Sequence, residues 1–425
     1  MRARCAGLAP LSGRLEQWQT TLCEQPDRLA DWLERYGSPL NFIAPVRMGA
    51  NAAELRRVAV AHGLDFRIYF ARKANKALAL VDEARRLGLG VDLASERELR
   101  QAIQRGVAPE NTIMTAAIKT RELLSLCVAS GTTVAIDNAD ELGRLASLAE
   151  QARRSVPIAM RLAPRLSGRP QTRFGLDLDQ MLELVDAHWS AGRASPLRIA
   201  GIHFHLDGYA ASERVSALGE CVALIDRLRD RGHRPSFIDI GGGVPVSYID
   251  SAAEWETFWR EHHRGLLGQR EPLTFGAHPL GLSVHDGEIG GAANVYPYHQ
   301  RPTGGDWLAQ ILEAPIGGSG GATVAESLRA RDLQLRCEPG RALLDGCGLT
   351  AARVEFRKQR RDGAWLIGLA MNRTQCRSTS DDFLVDPLLL RPGGDGADSE
   401  GPSRGPEPIE GFLLGAYCIE RELLT

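Results

Sequence analysis

Phe66-Arg67-Ile68-Tyr69-Phe70-Ala71-Arg72-Lys73-Ala74-Asn75-Lys76 passes from an apolar, aromatic-rich run into a lysine, and Ala77-Leu78-Ala79-Leu80-Val81-Asp82-Glu83-Ala84 follows it. The first part reads as a buried strand and the last as a helix, with Lys73 at the turn between them. The same pattern recurs along the chain. Short apolar runs at 68–71, 90–94, 112–116, 134–137, 158–162, 199–205, 237–240 and 333–337 alternate with amphipathic stretches such as 96–106 and 217–232. Eight strand–helix units predict an α/β fold, a closed (β/α)8 TIM-like barrel rather than an open sheet. The barrel domain is expected over 46–345, with a long insertion at 246–332 that contains Trp255 and Trp259 and is a candidate lid. Residues 1–45 and 346–425 are expected to form a second, β-rich domain. It would hold a short strand within 36–43 and strand-like runs at 349–356 and 365–370, with a loop at 391–408.

Bulk composition narrows the function classes. Apolar residues make up 44% of the 425, enough for full cores. Basic and acidic residues nearly cancel, 51 against 53, which argues against a nucleic-acid or anionic-membrane partner. The 8 cysteines include no Cys-x-x-Cys pair, so neither a metal site nor a disulfide framework is expected. No apolar run is long enough for a signal peptide or a membrane span, and a cytoplasmic protein acting on a small molecule is the expectation.

In a barrel of this kind chemistry gathers just after the strands. The residues there are Lys73, Asp92 with Glu98, Arg161, His205, Gly241-Gly242-Gly243, and Glu338 with Arg341. Each has a purely structural reading: a solvated lysine, an aspartate capping the next helix, a core histidine, a tight turn, an ion pair at a turn. Together they suggest more. A lysine at the mouth of a core strand is costly to leave charged and easy to deprotonate, which suits an imine-forming amine. Consecutive glycines bring backbone N–H groups close to a phosphate. A strand-end carboxylate can keep a pyridine nitrogen protonated, so the set points to pyridoxal phosphate.

Several motifs, in order, resemble those of the barrel-type pyridoxal-phosphate decarboxylases, the diaminopimelate, ornithine and arginine decarboxylase group, whose barrel is shared with alanine racemase. Tyr69-Phe70-Ala71-Arg72-Lys73-Ala74-Asn75 is similar to the family's cofactor-lysine motif. Val91-Asp92-Leu93-Ala94-Ser95-Glu96-Arg97-Glu98-Leu99 resembles its acidic motif, and Met160-Arg161-Leu162 and Arg173-Phe174-Gly175 resemble two further signatures. In Gly201-Ile202-His203-Phe204-His205 the second histidine matches the one that stacks on the cofactor ring. Gly241, Gly242 and Gly243 match the phosphate loop, and Glu338-Pro339-Gly340-Arg341 matches the motif whose glutamate meets the ring nitrogen and whose arginine helps hold the phosphate. Gly415-Ala416-Tyr417-Cys418 resembles a loop whose cysteine reaches the partner's site in a homodimer and helps return a proton. The resemblance thus implies catalytic roles for Lys73, His205 and Cys418.

The chain departs from the pattern in three places. After His205 it reads Leu206-Asp207-Gly208-Tyr209, without the phosphate-binding serine. Ile419 replaces an acid, and 371–383 lacks the carboxylate-handling Arg-Pro-x-Leu-Tyr segment. Within that segment Asp381 or Asp382, together with Glu98, is a candidate to meet a distal substrate amine. The chain also stops at Thr425, earlier than the family pattern, so its β-domain is expected to be truncated. Decarboxylation of an amino acid, basic or diamino, is the expected reaction. Pyridoxal-phosphate-dependent racemisation and a catalytically silent, cofactor-binding regulator are the alternatives.

Overall fold

The computed structural model describes residues 5–189, 195–318, 320–375, 384–393 and 408–420. Contacts divide the chain into two compact units, Pro45–Pro245 with Arg301–Cys347, and Met1–Ala44 with Val246–Gln300 and Gly348–Thr425.

The first unit is the barrel. Its strands are β1 (Phe66–Ala71), β2 (Gly90–Leu93), β3 (Thr112–Met114), β4 (Thr133–Ile136), β5 (Val156–Arg161), β6 (Leu197–His203), β7 (Phe237–Asp239) and β8 (Gln334–Cys337). Each runs parallel to the next, and β8 returns to β1 with Leu335 opposite Phe66 and Cys337 opposite Ile68, closing the ring. All eight lie where the sequence predicts them. They read as nearly unbroken apolar runs because both faces are covered; every residue of β2 and β4 is buried.

Helices α1 (Arg47–Ala61), α2 (Leu78–Arg86), α3 (Glu96–Gln104), α4 (Arg121–Ser130), α5 (Ala139–Ala152), α6 (Leu178–His188), α7 (Ala211–Asp230), α8 (Gly304–Glu313) and α9 (Val324–Arg329) belong to this unit. Their starts are set by side-chain caps. Ser95, Thr120, Asn138 and Asp177 each accept a bond from the N–H three residues on, satisfying one of the donors a helix leaves open. Ser95 therefore does the capping that the sequence allows to Asp92, and the Asp92 carboxylate is free for other partners. Lower in the barrel, the Arg336 guanidinium lies 3.5 Å from the Phe237 ring centroid and 5.3 Å from that of Tyr69. Gly90 and Gly201 leave no room for a Cβ against those same rings.

The second unit is rich in β-structure. Leu40–Ile43 pairs antiparallel with Gly348–Ala351, and Val354–Gln359, Trp365–Leu369 and Gly411–Leu414 make a three-stranded sheet. The expected run at 349–356 is broken between Ala351 and Val354 into two strands. Reading 246–332 as one barrel insertion needs correction: residues 246–300 cluster with the second unit, and only 301–332 join the barrel, as α8 and α9. The Arg14 N–H donates to Tyr248 O at 2.7 Å and the Ser12 N–H to Glu254 Oε2 at 2.7 Å, which ties the segment to the N-terminal residues, and aromatic packing closes it on itself. Tyr248 lies 5.3 Å from Tyr296 and 5.7 Å from Tyr298, and Trp255 5.9 Å from Tyr298. Among the described residues no helix is long and apolar enough to cross a membrane.

Candidate active site

Lys73 sits in a one-turn 3-10 helix, Arg72–Ala74, directly after β1. The turn is pinned from beneath by Arg72, which is fully buried, donates to Glu98 O at 2.9 Å and also bonds the Gln101 side chain. Lys73 itself is 48% exposed, with Nζ 3.6 Å from Asp92 Oδ2. Burial pulls its proton affinity down, but the carboxylates of Asp92 and Glu338 outweigh that, and the amine is held above its ordinary value. The lysine is thus not the easily deprotonated one its strand-end position alone suggests; two carboxylates reverse the sign. Asp92, buried on β2, accepts a bond from Thr115 Oγ1 through Oδ1, while Oδ2 accepts no hydrogen bond.

Glu338 follows β8 and is buried, with neither carboxylate oxygen accepting a hydrogen bond. His203 Nε2 lies 3.4 Å from its Oε1. Burial, then Asp92, hold this carboxyl well above the usual range, against the pull of Lys73 and Arg161. His203 ends β6 as the register partner of Asp239 on β7. Burial pushes the ring down to about 4, and pushes Asp239 up to about 7 with help from Glu338. One polar atom each of His203, Asp239 and Glu338 lies within 4.8 Å of the other two. Such a concentration of buried polar atoms without partners is rare unless a ligand meets them.

His205 Nδ1 accepts the Gly242 N–H at 3.2 Å, which leaves the proton on Nε2. Burial, followed by the nearby charge of Lys73, pushes this ring down to about 3, so it is neutral at physiological pH. In the glycine turn, Gly241 and Gly243 have φ of +65° and +79°. A Cβ on Gly242 would come within 2.9 Å of Glu338 O and 3.3 Å of the His205 ring. The Gly241 N–H donates to Asp239 Oδ1 at 2.9 Å. Two of the three amides expected to face a phosphate therefore have protein partners already.

Arg161 ends β5, donates to Asp137 Oδ1 at 3.2 Å and stacks 4.4 Å from the Phe174 ring centroid. Gly340 packs against Ala74 and Ala71, and the Ala71 N–H donates to Pro339 O at 3.2 Å, which places the Glu338–Arg341 turn beside the one carrying Lys73. Lys73, Asp92, Arg161, His205, the glycine turn and Glu338 are thus gathered at one end of the barrel.

Glu98 is different. Its Oε1 pairs with Lys76 and its Oε2 accepts the Ala94 N–H at 2.7 Å, so it closes the β2–α3 turn rather than offering a free carboxylate. Cys418 is an exposed thiol in the other unit. Asp381 and Asp382 lie outside the described residues. The sequence reading passed over His203, Asp239 and Thr115. His203 carries a legible signal: it stands two residues before His205, hence on the same side of an extended strand.

The arrangement fits pyridoxal phosphate. A buried carboxylate without a donor suits a protonated ring nitrogen, an amine stands beside it, and a turn too tight for side chains suits a phosphate. Residues 51–264 match the sequence model of the pyridoxal-dependent decarboxylases, pyridoxal-binding domain. The chain is 30% identical over 399 residues to the uncharacterized protein y4yA of Sinorhizobium fredii, covering 93% of this chain and 80% of that one. It is 25% identical to the diaminopimelate decarboxylase of Pseudomonas aeruginosa, covering 80% and 69%. The crystal structure of the lysine/ornithine decarboxylase of Vibrio vulnificus with cadaverine superimposes with a TM-score of 0.62 at 19% identity, covering 95% and 85%. Family match and fold agree with the geometry at the strand ends, and the chain belongs to the pyridoxal-dependent decarboxylases, amino-acid decarboxylases that take pyridoxal phosphate as their cofactor.

Proposed function

We propose that this chain removes the α-carboxyl group of a basic or diamino acid, with Lys73 as the residue that carries the cofactor covalently. The observation that carries the reading is the joint placement of Lys73, Asp92 and Glu338: an amine 3.6 Å from one buried carboxylate, and a second buried carboxylate with both oxygens open. The diamino preference is supported by the relatives, a diaminopimelate and a lysine/ornithine decarboxylase.

Bound pyridoxal phosphate supplies an electron-accepting ring for the pair released when the bond from Cα to the carboxylate breaks. Glu338 holds a proton at the ring nitrogen. His205, neutral and fixed through Nδ1, offers a flat face that neither gives nor takes a proton at physiological pH. Arg161, Arg341 and the glycine turn hold the cofactor and its phosphate. Lys73, kept charged by its two carboxylates, returns a proton to Cα once carbon dioxide has left; Cys418 of the partner subunit in a homodimer with shared sites is the second candidate for this step.

The test combines a visible spectrum of the protein with pyridoxal phosphate, borohydride fixation, mass analysis of the Lys73 peptide, and carbon dioxide release. Substrates are lysine, ornithine, arginine and diaminopimelate, with leucine as control. Fixation on Lys73, lost in Lys73→Ala, and release from at least one diamino acid but not leucine are expected. A fixed cofactor with no release from any of them would remove the decarboxylase reading.

A further inference from the structure

Arg214 lies in the first turn of α7 and is 0% exposed. Its Nη2 donates to Gly208 O at 2.7 Å and Gly242 O at 3.4 Å, and its Nη1 to Ala210 O at 3.3 Å, while Nε has no partner. The guanidinium is 5.4 Å from the Trp307 ring centroid, and Trp307 Nε1 donates to Tyr209 O at 2.7 Å, so the cation is walled in. Among the described residues no carboxylate pairs with it: neighbouring Glu213 pairs with Arg169 at 2.7 Å, and Asp207 is exposed. Burial lowers its pKa only to about 10, which leaves it charged at neutral pH. A buried cation held by carbonyls alone is costly unless an anion comes to it.

Where that anion would lie follows from the glycine turn. A Cβ on Gly243 would collide with Arg214 Nη2, so the guanidinium is packed directly against this residue. Gly241 and Gly242 already direct their N–H groups to Asp239 and His205, and Leu206-Asp207-Gly208-Tyr209 carries no hydroxyl next to His205 other than that of Tyr209. The turn is short of donors, and Arg214 is a buried cation in direct contact with it.

We propose that Arg214 is the charge-bearing positioning residue of the phosphate site, joining the Gly208 turn to the glycine turn and supplying the charge that a cofactor phosphate dianion neutralises. This rests on the cofactor assignment made above and extends it to a residue on α7, outside the strand-end motifs.

The experiment measures binding to the cofactor-free protein of three probes: pyridoxal phosphate, pyridoxal without phosphate, and inorganic phosphate followed as a thermal shift. Arg214→Met is expected to weaken pyridoxal phosphate about tenfold or more, to leave pyridoxal unchanged, and to abolish the phosphate-induced shift. Arg214→Lys, which keeps the charge, is expected to restore most of the discrimination. If Arg214→Met does not fold, Arg214→Gln against Arg214→Lys gives the same comparison. Unchanged discrimination in the neutral variants, or equal loss of pyridoxal and pyridoxal phosphate, would overturn the assignment. Arg214-dependent phosphate binding without cofactor fixation on Lys73 would sink the decarboxylase reading and leave Arg214 standing. Fixation on Lys73 with indifferent Arg214 variants would do the reverse, and a wild type that binds none of the probes would end both.

Discussion

Among the buried charges of the barrel unit, those at Lys119 and Glu141 and those around Glu338 are built on opposite terms. At Lys119 and Glu141 an ammonium and a carboxylate, 0% and 2% exposed, meet at 2.9 and 3.1 Å, and the Asp137 N–H adds a bond to the same carboxylate. Burial still lowers the lysine and raises the glutamate, as expected when desolvation consumes most of what pairing returns. At Glu338, by contrast, a carboxylate equally buried accepts no bond, and His203 and Asp239 beside it keep further polar atoms open. The first group is closed within the protein. The second is closed only by something that arrives, and its cost to the fold is the sign of a site.

The comparison breaks most sharply at Glu338. Glu338→Gln is expected to lower kcat/KM by roughly a thousandfold, within the range of proton-handling groups, or about 4 kcal/mol on the barrier. The melting temperature of the cofactor-free protein should stay the same or rise. Activity within tenfold of wild type would take the ring nitrogen away from this carboxyl. Lys119→Met should do the opposite: about 3–5 kcal/mol less stability in urea unfolding, because Glu141 is left buried and alone. Adding Glu141→Leu should recover most of that loss, and a single variant as stable as wild type would mean that the pair is not isolated from water.

A smaller effect lies in pH. His203 has a folded-state pKa depressed to about 4 from 6.5, so the native state binds fewer protons than the unfolded chain between these values. Its contribution is present above pH 6.5 and is lost as pH falls toward 4, by up to roughly 3 kcal/mol. Asp239, raised to about 7, acts with the opposite sign over much of the same window. The His203 share is therefore read as the difference between wild type and His203→Gln in unfolding free energy across pH 4 to 7; parallel curves would remove it. Least in size, Asp92→Asn removes a charge that raises Lys73. The pH at which borohydride-fixable cofactor is taken up should move downward, and an unmoved profile would mean that Asp92 does not set the lysine's charge.

The barrel was legible because each strand is a short, continuous apolar run followed by a capped helix, and Ser95, Thr120 and Asn138 mark helix starts locally. The strand-end motifs were legible for the same reason: Lys73, Asp92, His205 and Glu338 sit where their strands stop. What sequence could not supply was which charges face each other. Lys73 looked easy to deprotonate until Asp92 and Glu338 were placed beside it, and Glu98 looked available until Lys76 and the Ala94 N–H took its oxygens. Arg214 gave no signal, since its partners are backbone carbonyls, one of them at Gly242 on another strand's turn. The stretch 246–300 misled because tyrosines some fifty positions apart pack with one another, which no local pattern announces.

The bond from the Ala71 N–H to Pro339 O ties the turn after the first strand to the turn after the last. Lys73 and Glu338, proposed to act at different positions of one cofactor, therefore become neighbours only when β8 docks on β1. That contact has the longest sequence separation in the ring and is entropically the last to be rewarded. A chain emerging during synthesis would carry its lysine, its aspartate and its glycine turn without the carboxylate that completes them. The order of folding itself would keep an unfinished molecule from engaging its cofactor fully, and cofactor uptake would report ring closure.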